Sequence, residues 1–228
     1  MKPVEELINT SELGWSLVKG WIDSAKNTIQ IFPSDSGRAK TALYQTQVTT
    51  RSPMGAIIYR AAGMLIDHGW IRILGSGDSM SFRSLPEWNS GKSFKQYGER
   101  PDFLLVADDV IGGFFAINGG SLGSDPGKVY YLSPDNLDWE PLDLTYTEFL
   151  LFCFNGDLNK FYGDYRWKGW ERDVMSVKAS QVYNFFPPLW TKEGKNIGKA
   201  FKKVISIEEQ YQLIMEMMRQ LGKKKNGG

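Results

Sequence analysis

Two adjacent carboxylates, Asp108 and Asp109, stand just ahead of Gly112-Gly113 and form the most site-like combination in the chain. Carboxylate oxygens at a strand end can hold a hard divalent cation or serve as acid and base. Successive strand residues face opposite sides of a sheet, so the two converge only if a turn re-aims one of them. Aspartate and glycine are also ordinary hairpin-turn residues, and that reading competes with the chemical one. Asp67-His68 is a second potential acid–base pair. Neighbours on a helix do not face each other, and a histidine at a helix C-terminus, followed by a left-handed Gly69, explains the pair better.

Other chemistries meet clear limits. His68 and Cys153 are the single histidine and cysteine, too few for the N/S ligand set of a structural zinc site or for a disulfide. Cys153 falls in an apolar helical stripe that suits an inert thiol. Gly75-Ser76-Gly77 and Gly119-Gly120-Ser121-Leu122-Gly123 lack the spacing and the Lys-Ser/Thr of nucleotide loops. No G-x-S-x-G elbow occurs. No cofactor is predicted. The lysines of 192–203 and 223–225 read as solvated surface, because no nucleic-acid-binding motif accompanies them.

Charge is distributed unevenly along the chain. The net charge is +1, but residues 1–100 sum to +3, residues 101–150 to −8 and residues 151–228 to +6. The acids of the middle segment fall mainly at predicted turns, among them Asp108, Asp109, Asp135 and Asp138. Gathered on one rim, they would attract a basic surface. A second set, Arg72, Trp88, Asn89, Asp108, Asp109 and Asn118, lies at strand ends and loops where a small ligand could be held.

These residues depend on the elements that carry them. Residues 4–26 read as helical with a break near Thr10-Ser11. Strands are predicted near 29–32, 70–74, 102–107, 113–117 and 128–132, with a further extended segment opening at Trp139. Short helices are expected over 38–44 and 145–154. A longer one, N-capped by Ser52 with Pro53 at its first position, is expected over 53–68. Residues 75–101 read as a long loop, and 185–190 as an apolar ledge. Ser206 and Glu209 predict a capped helix to 221. Helices bracketing a run of strands give an α+β class with a mostly antiparallel central sheet flanked by helices. One domain over 1–222 and a disordered basic tail over 223–228 are expected, with no linker, signal peptide or apolar span, so a soluble cytoplasmic chain is predicted.

Two stretches carry a family resemblance. Gln47 to Gly77 (QVTTRSPMGAIIYRAAGMLIDHGWIRILGSG), with Leu85-Pro86-Glu87-Trp88-Asn89, and Val106 to Gly120 (VADDVIGGFFAINGG) resemble the bacterial family catalogued as domain of unknown function DUF 2625. More distantly, the order FLLVADDVIGGFFAIN, GKVYYL, YTEFLLF is similar to the SUKH superfamily. That resemblance implies a single α+β domain and, in many members, an immunity protein that neutralises a toxin, often a nuclease, by binding it.

Three functional readings follow. The first is a binding protein whose acidic segment faces a basic protein such as a nuclease toxin. The second is an enzyme or small-ligand binder at the loops around Trp88-Asn89 and Asp108-Asp109. The third is an adaptor domain. A pocket lined by the second set favours the second reading, and an acidic patch favours the first. Membrane and nucleic-acid partners are not expected.

Overall fold

A computed structural model describes residues 1–9 and 14–222. In chain order its elements are α1 (Val4–Leu7), α2 (Gly14–Asp23), β1 (Ile29–Pro33), α3 (Ser36–Thr46), α4 (Pro53–Arg60), β2 (Ala61–Ile66), β3 (Ile71–Leu74), α5 (Leu85–Asn89), β4 (Phe103–Asp109), β5 (Phe114–Asn118), β6 (Lys128–Leu132) and β7 (Trp139–Thr145). They continue with α6 (Tyr146–Asn155), α7 (Leu158–Tyr162), α8 (Trp170–Met175), β8 (Gln181–Phe186), β9 (Phe201–Ser206) and α9 (Ile207–Gln220). The class is α+β. Strands β1 to β7 form one antiparallel sheet in sequence order, and β8 and β9 form a separate two-stranded ribbon. The predicted break at Thr10-Ser11 and the tail over 223–228 lie outside the described residues.

Strand alternation sorts the sheet into two buried faces. Arg72 of β3 pairs with Asp108 of β4, Asp108 with Phe114 of β5, and Phe114 with Leu132 of β6, so these side chains share one face. Trp88 of α5 stacks on Phe114 at 6.4 Å, and Tyr211 of α9 meets the same ring edge-on at 5.2 Å. On the other face Phe115 stacks on Tyr131 and packs against Phe149 of α6. Helices on both faces explain why the central strands read as continuous apolar runs rather than alternating ones.

That burial also corrects the helix expected over 53–68. Ser52 caps α4 as predicted, its Oγ accepting from Gly55 N at 3.1 Å, but the helix stops at Arg60. Residues 61–66 instead form β2, nearly all buried between β1 and β3. A strand covered on both faces has no polar period, so its apolar run resembles a buried helix. Gly63 is compatible with a strand because the Phe82 ring lies where a Cβ would stand. His68 is therefore not at a helix end. Asp67, His68 and Gly69 all have positive φ (53°, 60° and 95°) and form the tight turn joining β2 to β3.

Two further expectations change. The loop over 75–101 contains α5, which opens at Leu85 with Pro86 in its first turn, and Trp88 and Asn89 sit on that helix. The ledge over 185–190 begins as the end of β8, whose partner β9 emerges from the lysine-rich segment. The capped C-terminal helix is present, with Ser206 Oγ accepting from Glu209 N at 3.1 Å. Among the described residues no helix is long and apolar enough to cross a membrane.

Candidate functional site

Arg72, Asp108 and the Trp88-Asn89 pair, which the sequence placed on three separate segments, converge at one face of the sheet. Arg72 and Asp108 are cross-strand partners with side chains only 2% and 1% exposed. Arg72 Nε lies 2.7 Å from Asp108 Oδ1, an ion pair without the alignment of a hydrogen bond. Arg72 Nη2 donates to the Gln181 carbonyl at 3.0 Å and so ties the sheet to β8. A second guanidinium, Arg83, donates to Asp108 Oδ2. One buried carboxylate thus serves two buried cations. Removing charges from water is costly, and such a cluster persists only when counter-charge is close.

Arg83 and Trp88 form the outward layer. The Arg83 guanidinium lies 4.3 Å from the Trp88 ring centre, and the Lys92 ammonium lies 4.1 Å from it. The indole quadrupole attracts both cations. Lys92 also pairs with Glu208 of α9 at 3.1 Å. Asn89 holds α5 in place by acting as a surrogate strand. Its Oδ1 accepts from Leu105 N at 2.8 Å and its Nδ2 donates to Leu105 O at 2.8 Å, beyond the point where β3 stops pairing with β4. Asn89 is therefore a buried staple beneath Trp88, not a surface contact.

Two concavities open beside this cluster and share Lys92 and Glu208. The smaller, about 350 Å³, is lined by Arg83, Trp88, Lys92, Ser180, Ser206 and Glu208, with Glu87 and Ile207 completing its wall. The larger, about 930 Å³, runs along α9 past Tyr211, Met215 and Met218. Arg83 was not singled out in the sequence, although its proximity to Trp88 in the chain was a usable signal. Lys92 and Glu208 meet across a sequence separation of 116 residues, and nothing local announces that pair.

The other predicted residues lie elsewhere. Asp109 points to the opposite face, as alternation requires, and is wholly buried. Its carboxylate accepts from Tyr131 Oη at 2.6 Å, Tyr162 Oη at 3.1 Å, Gly113 N at 2.8 Å and Ile111 N at 3.2 Å. Burial nevertheless lifts its carboxyl above the ordinary range, the hydrogen bonds only partly offsetting it, and drives the two phenols well above theirs. Asp108 and Asp109 therefore do not share a site, and neither joins an exposed acidic rim. Asn118 staples the following loop, its Oδ1 accepting from Gly120 N and Leu122 N at 2.7 and 3.0 Å. Cys153 is buried, and burial pushes its thiol up. Among the described residues no group of three His, Cys, Asp or Glu side chains is placed to hold a metal ion.

Asp135 and Asp138 lie at the β6–β7 connection. Asp135 is half-buried and accepts from Ser133 and Tyr165, whereas Asp138 is exposed and caps Trp139 N at 3.0 Å. Exposed Glu140 and Asp143 follow on β7, which among the described residues has no strand beyond it in the sheet. Among the described residues none of these four acids makes an ion pair with a side chain.

Comparison with known proteins places this architecture. A family described as "Protein of unknown function DUF2625" matches residues 4–210. An uncharacterised protein of Haemophilus influenzae is 45% identical over 212 residues, covering 93% of each chain. The putative uncharacterised protein YbfG of Escherichia coli K12 is 40% identical over 222 residues, covering 95% of this chain and 97% of the relative.

Proposed function

The chain belongs to the DUF2625 family, and from that premise we propose that it acts by non-covalent binding of a basic protein partner, with the β7 edge as the contact surface. The observation that carries this reading is the group Asp135 and Asp138 in the β6–β7 connection and Glu140 and Asp143 on the edge strand β7, without ion-pair partners among the described residues. Unpaired carboxylates of one sign create a field that steers an oppositely charged surface. The groups best suited to acid–base chemistry are committed elsewhere: Asp108 to two guanidiniums and Asp109 to four donors. The SUKH-like order of elements supports the same reading, with a toxin-type partner whose phosphate-binding surface is basic.

Immobilised protein exposed to an extract of its native cells tests this. A specific basic protein should be retained at low salt, released at high salt, and lost from a variant carrying Asp135→Asn, Asp138→Asn, Glu140→Gln and Asp143→Asn. Retention unaffected by the fourfold variant would refute the assignment of the edge.

A further inference from the structure

We propose that the smaller hollow beside Trp88 is a binding site for a small anion of carboxylate or phosphate type, held by Arg83 and Lys92 at the start of α9. Three observations support it. Among the described residues Arg83 Nε and Nη1 are buried without a hydrogen-bond partner, while Nη2 is committed to Asp108. Buried donors of this kind are costly to leave unmade, and guanidinium is matched to carboxylate and phosphate oxygens. Arg72 and Arg83 converge on a single buried carboxylate, Asp108, while Lys92 lies over the same Trp88 ring as Arg83 and pairs with Glu208. The two acids on the wall, Glu87 and Glu208, are both substantially solvated, so water screens them more than it screens Arg83, whose side chain is 15% exposed. The hollow also includes Ser206 and Ile207, where the 14-residue α9 directs its N-terminal end. Ile207 N and Glu209 N are taken by Ser180 O and Ser206 Oγ, so this helix end favours negative charge through its dipole, with Ser180 on the same wall.

The volume of about 350 Å³ lies at the small end of ligand sites. The adjoining groove past Tyr211, Met215 and Met218 would receive an apolar tail if the anion carries one. An incoming anion would share Lys92 with Glu208. The indole of Trp88, flanked by both cations, reports on its arrival.

The test is a fluorescence titration of the full chain with inorganic phosphate and, separately, with octanoate, using Trp88→Phe to identify the Trp88 signal. Saturable binding is expected for at least one probe. It should weaken at least about tenfold in Lys92→Gln, which leaves Asp108 untouched, and should be lost in Arg83→Gln. Because Arg83→Gln removes a partner of a buried charge, its fold is checked by circular dichroism, and Lys92→Gln decides the matter if Arg83→Gln unfolds. Response to phosphate alone identifies a phosphate-type ligand, and response to octanoate alone identifies a carboxylate with an apolar tail. No saturable response to either probe, or equal binding by the wild type and Lys92→Gln, would overturn the proposal.

Discussion

Asp108 holds two guanidiniums that have little access to water, and its single charge makes the face beneath Trp88 tenable. Asp108→Asn would leave both cations without a counter-charge and should lower unfolding stability by about 3–5 kcal/mol in urea denaturation. A variant as stable as the wild type would show that the cluster is not buried as described. Asp109 behaves differently, because burial lifts its carboxyl above the ordinary value. A group whose folded pKa exceeds its unfolded one binds more protons in the folded state. Its stabilising contribution is complete below the unfolded pKa and is lost as pH rises through the folded pKa. Wild-type stability, measured relative to Asp109→Asn, should therefore fall as pH rises from the unfolded carboxylate value, and a rising difference would contradict the assignment. The adjacency of the two aspartates and their opposite facing were legible in the sequence. Their burial was not, because Arg83 neutralises Asp108 from 25 residues away and Tyr162 reaches Asp109 from 53 residues away.

At the scale of elements, short polar devices determine where helices meet the sheet. The Asn89 amide completes β4 where β3 has ended, satisfying both backbone groups of Leu105. Asn89→Ala should cost about 3 kcal/mol, since two buried backbone groups lose their partners. Hydrogen exchange at the Leu105 amide checks it directly: protection should fall in the variant, and unchanged protection would mean another group has taken over the bond. The strands with glycine or aspartate turns, 29–33, 71–74, 103–109, 114–118 and 128–132, were legible within a residue or two, because turn chemistry marks their ends. β2 was not, because a strand buried on both faces carries no period of its own, and Gly63 was the one residue arguing against a helix there. β9 was hidden for a different reason. Its lysines suit a half-exposed ribbon, and the pattern 201–206 shows no clean alternation of burial.

Across the whole molecule, charge and topology meet at the sheet edges. Setting aside buried Asp108 and Asp109, residues 101–150 retain seven acids against Lys128, a net charge of −6, and four of those acids lie on or beside β7. Pro141 and an irregular register between Val129 and Tyr130 also blunt this edge against further strand pairing. Edge protection alone would require the charges to face water; recognition requires them to accelerate an encounter. The two are separated by the association rate of the captured basic partner, measured by stopped flow across ionic strength for the wild type and for the Asp135→Asn, Asp138→Asn, Glu140→Gln, Asp143→Asn variant. The expected result is a wild-type rate that falls steeply with salt and a variant rate at least about tenfold slower at low salt, with thermal stability unchanged. Equal rates and equal salt slopes for the two proteins would show that the acidic edge is not the recognition surface.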